Sequence, residues 1–218
     1  DEAVWRNITT GRLTWDVAQL GSQELRVVAF GGADVLSQRN EVFSPPDLQY
    51  EPLDGLPGTT AVSGASNQNA NLNLNAVHVW RPVRAIAATT QLGTQWERRN
   101  FSVNRASAQT RLGGLEVVTA GTIRDVDEQR LLVDDFGIFA QSEVLVAERL
   151  LLTAGARADR SSNNGDPGKY YLFPKASASY RFGTLRRGRV DDVKLRVAYG
   201  ETGNQPLYGQ KFTPHDLS

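Results

Sequence analysis

The sequence predicts an all-β chain, an antiparallel up-and-down membrane β-barrel segment of about eight strands. Three observations carry that prediction. Apolar and polar residues alternate along several runs with a period of two, the mark of strands whose two faces meet different surroundings. The apolar side of the clearest run holds aromatic residues towards its ends and small residues in its middle, as the lipid-facing band of a membrane barrel does. The connections between runs alternate short and long, like the turns and loops at the two ends of an outer-membrane barrel.

Residues 1–10 read as the end of a loop entering a strand. Residues 11–19 set Leu13, Trp15 and Val17 against Arg12, Thr14 and Asp16. Leu20-Gly21-Ser22-Gln23 is a short polar turn. Residues 24–35 return, with Leu25, Val27, Ala29 and Ala33 opposite Arg26 and Asp34, although Val28 and Phe30 blur the second face. The two runs form a hairpin. Residues 36–70 read as a long irregular stretch holding Pro45-Pro46, Pro52, Pro57-Gly58 and SGASNQNAN. Such a length suits either an extracellular loop near a substrate entrance or a mobile surface insertion. Residues 71–80 alternate again, with Leu72, Leu74, Ala76 and Trp80 against Asn73 and Asn75. Arg81-Pro82 reads as a sharp turn, and a Thr- and Ala-rich strand with a poor face pattern follows to residue 96. Residues 97–121 form a second irregular stretch, basic at Glu97-Arg98-Arg99 and Gly-rich at Gly113-Gly114.

Four runs with clearer faces follow. Residues 132–146 set Phe136, Ile138, Ala140, Val144 and Val146 against Asp135, Gln141 and Glu143, with Phe139 and Leu145 breaking the polar side. After the short turn Ala147-Glu148, residues 149–160 set Leu150, Leu152, Ala154, Ala156 and Ala158 against Arg149, Thr153, Arg157 and Asp159. The loop SSNNGDPG leads to residues 170–182, where Tyr170, Leu172, Pro174, Ala176, Ala178, Tyr180 and Phe182 oppose Tyr171, Phe173, Lys175, Ser177, Ser179 and Arg181. A connection at residues 183–192 precedes Val193, Leu195, Val197 and Tyr199, which oppose Lys194 and Arg196. On a barrel, Arg157, Asp159, Lys175, Arg181, Lys194 and Arg196 are then lumen-facing. Their opposite charges are expected to cross-link neighbouring strands, or else to contact a plug or line a substrate path. Pro174 donates no ladder hydrogen bond, so it predicts a bulge or a strand end on the loop side. In Thr202-Gly203-Asn204, Gly and Asn suit the left-handed backbone of a tight reversal.

Composition narrows the chemistry. The chain has 218 residues and no Met, so it is expected to be a slice of a longer protein. Nowhere does a run approach the roughly 18 apolar residues of a transmembrane helix, which a barrel does not need. Lys plus Arg equals Asp plus Glu at 24 each, which gives no net pull towards nucleic acid or anionic lipid. The basic turn Arg186, Arg187 and Arg189 lacks aromatic neighbours and does not change that. With no Cys, and with His78 and His215 lacking any ligand spacing, neither metal nor cofactor is expected. The carboxylate pairs Asp134-Asp135 and Asp191-Asp192 are adjacent on strand-like sequence and point to opposite faces, so no catalytic residue is assigned.

The segments DDFGIFAQSEV, RLLLTAGARADRSS, FPKASASYRF and LRVAYGETGNQP, in that order, resemble the barrel of TonB-dependent outer-membrane transporters. The resemblance is to the SusC/RagA branch, known for glycan and peptide uptake. It rests on Arg157, Asp159, Ser161 and Ser162, then Phe173, Pro174 and Ser177, then Lys194, Leu195, Arg196, Tyr199, Gly200, Thr202, Gly203, Asn204 and Gln205. It implies that residues 1–218 are part of a single transmembrane barrel of about 22 strands, with the plug and the rest of the barrel outside this chain. It further implies a Gram-negative outer-membrane location and import of an oligosaccharide or peptide without chemistry on it. The implied partners are outer-membrane lipid, TonB acting through the plug, a SusD-like lipoprotein lid, and the imported glycan or peptide. No residue is assigned to substrate. The competing reading is a secreted soluble β-sandwich that binds carbohydrate, which requires a closed core and an exposed aromatic platform. A glycosidase would require two carboxylates converging on a cleft.

Overall fold

A computed structural model describes residues 1–51, 55–111, 115–183 and 193–210. Eight strands run in chain order: β1 (Glu2–Leu20), β2 (Gln23–Ser44), β3 (Thr59–Val83), β4 (Ile86–Arg111), β5 (Gly121–Val146), β6 (Leu150–Ser161), β7 (Tyr171–Phe182) and β8 (Val193–Gly200). They form one sheet in which each strand lies beside its sequence neighbours. A 3-10 turn at Val118–Ala120 precedes β5.

Among the described residues, the only buried hydrophobic side chains are Ala108 and Val133. A soluble sandwich of this length would bury a set of alternate residues from two facing sheets. Here one sheet holds all eight strands and, among the described residues, no second layer covers it, so the sandwich alternative does not describe this chain. Backbone ladders, not an apolar core, hold the strands to one another. The β5–β6 ladder runs unbroken from Asp135↔Ser161 to Val146↔Leu150. The β6–β7 ladder runs from Leu150↔Tyr180 to Asp159↔Tyr171. The β7–β8 ladder runs from Lys175↔Gly200 to Phe182↔Val193.

Those registers fix the faces. Ile138, Ala156, Ala158, Leu172, Ala176, Leu195 and Val197 share one side, and Leu172, Leu195 and Val197 are 60–67% exposed there. Arg157, Asp159, Lys175, Arg181, Lys194 and Arg196 share the other. Pro174 lies opposite Ala156 with no bulge in either ladder. Its carbonyl accepts from Glu201 N at 3.0 Å, just past the end of β8. The nitrogen and carbonyl of one strand residue point to the same side, so the missing donor falls where β8 has stopped. Pro174 is thus neither at a bulge nor at the end of β7, but one residue past the last pair of the β7–β8 ladder, where the missing donor costs no ladder bond.

The short turns bond to one another in series. Arg81 N donates to Ser22 O (2.8 Å), Ala147 N to Ala85 O (2.6 Å) and Arg181 N to Arg149 O (2.9 Å). The turns therefore line one end of the sheet, as the short–long pattern predicts. Several boundaries differ from the sequence reading. Residues 1–10 are not a loop, because β1 starts at Glu2. The turn after β3 is at residues 84–85 and Pro82 belongs to the strand. The two irregular stretches are shorter than the sequence reading has them, because β2, β3, β4 and β5 reach 22–26 residues. Sequence features at Pro52, Gly113, Gly114, Arg186, Arg187, Arg189, Asp191, Asp192 and His215 lie outside the described residues.

The chain divides into two compact units. One comprises Asp1–Thr9, Gly32–Ala70 and Arg98–Leu132. It contains strand segments that are polar on both sides, such as SGASNQNAN, and exposed ion pairs. Arg6 donates to both oxygens of Asp34 at 2.9 and 2.7 Å, and Arg130 pairs with Glu128 along β5. The other unit comprises Thr10–Gly31, Asn71–Glu97 and Val133–Ser218, and holds the alternating faces of β5–β8.

A candidate site on the polar face of β4 to β8

One row of side chains crosses three strands on the polar face: Phe139 on β5, Arg157 on β6 and Phe173 on β7 are direct register partners. Arg157 Nε donates to both Asp159 oxygens at 2.7 Å. Its Nη2 reaches across β5 to Gln95 Oε1 on β4 at 3.1 Å. That span is possible because Gly137 lies beneath it. A Cβ there would stand 2.2 Å from Asp159 Oδ1 and 2.5 Å from Arg157 Nη2. Gly93 on β4 plays the same part for Phe139, whose ring would meet a Cβ at 2.4 Å. The expected cross-strand ion pairing is thus replaced here. The Arg157–Asp159 pair runs along one strand, and the link between strands goes through a neutral amide.

After β8 the chain folds back across the polar face as a strap. Glu201 is tied to Pro174 through the backbone. Gly203 packs under the Phe173 ring, where a Cβ would lie 2.7 Å from Cε1. Ser161 Oγ donates to Gln205 Oε1 (3.2 Å) and accepts from Asn163 N (3.1 Å), and Ser161 is 1% exposed. Ser162 Oγ accepts from Asp134 N at 2.9 Å, which closes the loop end of β5 and β6. The reversal expected at Thr202-Gly203-Asn204 does not use a left-handed glycine. Gly203 is absent from the positive-φ residues, and close approach of Phe173 is what excludes a side chain there.

A cleft of about 520 Å³ lies between the strap and the strands, lined by Gln91, Phe139, Arg157, Asp159, Lys175 and Glu201 among others. A smaller cavity of about 290 Å³ adjoins it through Asp159, Phe173 and Gly203 and includes Asn204. Five of the motif residues, Arg157, Asp159, Phe173, Thr202 and Gly203, therefore converge on one place together with Lys175. Others do not. Lys194, Arg196 and Arg181 lie on the same face at the turn end. Gly200 pairs with Lys175 at its margin, and Pro174 and Tyr199 are on the opposite, apolar face. Tyr199 donates its hydroxyl to the Glu201 carboxylate.

The cleft presents two cations, the Asp159 carboxylate, two rings and amides, a set suited to holding a polar ligand. No group of three metal-ligating side chains converges among the described residues. Sequence reasoning missed Gly93, Gln95 and Gly137 and read Phe139 as an interruption. The usable signal was a glycine inside an alternating strand, which marks a close approach.

An up-and-down sheet with an exposed apolar face, a cleft-bearing polar face and no interior of its own is the wall of a β-barrel. A family model described as TonB dependent receptor-like, beta-barrel matches residues 5–215, and the chain belongs to that family, one of receptors and not of enzymes. Solved structures share the fold. The RagAB peptide importer in its closed-closed state superposes with a TM-score of 0.72 at 14% identity, over 94% of this chain and 23% of that one. A second structure, of the RagAB peptide transporter, gives 0.68 at 13% identity, over 93% and 23%. The chain thus spans about a quarter of the length of those relatives. Among curated proteins none matches the sequence.

Proposed function

We propose that residues 1–218 form part of a single transmembrane barrel in a Gram-negative outer membrane, within a TonB-energised importer of an oligosaccharide or peptide. The observation that carries this reading is the spacing of aromatic residues on the exposed apolar face. Phe136 and Tyr170 meet edge to face at one level, with ring centroids 6.5 Å apart. Tyr180 and Phe182 do the same at the other, 4.7 Å apart. From Tyr170 to Tyr180 the strand advances ten residues, with only Leu172, Pro174, Ala176 and Ala178 between them on that face. At about 3.3 Å per residue and a tilt near 40°, that is a band of about 25 Å, the height of the apolar belt of outer-membrane barrels.

On this reading Arg157, Asp159, Lys175, Arg181, Lys194 and Arg196 face the lumen, and the cleft opens on the path of the ligand. A plug outside this chain fills the lumen and moves when TonB pulls on it. A SusD-like lipoprotein covers the loop end. The RagAB structures are those of a peptide transporter, which supports a peptide as one candidate cargo. The test is fractionation of cells that express the full-length protein, with peptides of this stretch followed by mass spectrometry. Retention in carbonate-washed outer membranes supports the reading, and recovery in the soluble fraction overturns it.

A further inference from the structure

Among the described residues, the apolar face of β6–β8 carries one cation that its lipid-facing role does not explain. Arg160 ends β6 on that face, opposite Phe136 in the ladder. Its guanidinium carbon lies 5.5 Å from the centre of the Phe136 ring and 5.6 Å from that of Tyr170. Those two rings are themselves in edge contact, so the cation is held in a built aromatic corner and does not swing free. Among the described residues Arg160 forms no ion pair with a carboxylate. Towards the middle of the strand the same face is immediately apolar at Ile138, Ala158 and Leu172.

A guanidinium held against ring faces keeps its N–H fork for an anion, and a phosphate fits that fork bidentately. Its height is that of lipid headgroups if the aromatic band marks the membrane. Its end of the sheet is the loop end, away from the turn at residues 147–149. We infer that Arg160, framed by Phe136 and Tyr170, binds the phosphate of an outer-leaflet lipid headgroup. The inference rests on the membrane reading above.

Native mass spectrometry of the purified full-length transporter tests it, with diphosphoryl lipid A and its dephosphorylated form as probes. The wild type is expected to retain the phosphorylated lipid about fivefold better, the scale of one basic residue at an anionic surface. Arg160→Gln removes the preference and Arg160→Lys restores part of it, with heat-modifiable gel migration confirming that each variant is folded. Equal retention of both lipids by the wild type, or an unchanged preference in Arg160→Gln, overturns the site and leaves the membrane reading standing. A protein that carries neither lipid and fractionates as soluble overturns both.

Discussion

The two compact units are built from strands of one sheet yet read differently. In β6–β8 every second residue except Arg160 is apolar, and the exposed side of the face is oily from Tyr170 to Phe182. In the unit that includes Gly32–Ala70, the strand segment SGASNQNAN is polar on both sides. The backbone conformation is the same, so alternation does not record strand structure as such. It records two different solvents on the two faces. Where both faces meet water, the period vanishes although the strand continues. On the proposed reading the alternating part crosses the membrane and the other stands in water.

The largest test of that contrast is a charge on each kind of strand. Ala154→Arg, near the centre of the apolar band, is expected to cost about 2–4 kcal/mol and to lower the folded full-length barrel in the outer membrane. Gln68→Lys, on an exposed position of β3, stays within about 0.5 kcal/mol. Heat-modifiable gel migration of membrane fractions measures both, and equal losses would break the comparison.

Glycines sharpen it next. Gly93→Ala must displace the Phe139 ring and Asn75, at about 1–3 kcal/mol. Gly64→Ala meets nothing within 4 Å and is expected to gain about 0.4–1 kcal/mol through the unfolded chain. Denaturant titration of the refolded full-length barrel separates the two signs.

Polar links differ in the same direction. Ser161→Ala leaves the buried Asn163 N and Gln205 without their partner and costs about 1–2 kcal/mol, with faster protease cleavage within residues 201–206. Arg6→Ala breaks a pair whose side chains are 53% and 27% exposed, so its effect is small and fades in high salt. A small effect of stabilising sign is expected at the β5–β6 turn, where Ala147 and Glu148 both adopt positive φ, 50° and 55°. Glu148→Gly relieves one of them and is expected to stabilise by about 0.5–1 kcal/mol, seen as a small upward shift in the same denaturant midpoint.

These residues also show what was legible. The faces of β6, β7 and β8 could be read because Leu, Ala, Tyr and Phe alternate with Arg, Lys and Ser there. The far halves of β2–β5 could not, since polar residues on both sides carry no period. Loop signals such as Pro45-Pro46 were real, but the loop around them is shorter than the polar stretch. At the site, Arg157, Asp159, Phe173 and Gly203 were visible as a motif. Their geometry was not, because a glycine such as Gly137 works by what lies over it from β6. The sequence reading assigned Gly203 a backbone role where a ring contact governs.

The central claim is that period two marks a two-solvent strand, and accessibility along single strands tests it directly. The chain has no cysteine, so single cysteines can be placed in turn along β7 and along residues 60–70 of β3 in the full-length protein. Spin labels at these sites are then read in bilayers against oxygen, which favours lipid, and a nickel complex, which favours water. The account predicts that the two accessibilities oscillate out of phase along β7, oxygen peaking at even-numbered residues 172–180, while residues 60–70 favour the nickel complex on both faces. Equal water access on both faces of β7 would contradict it.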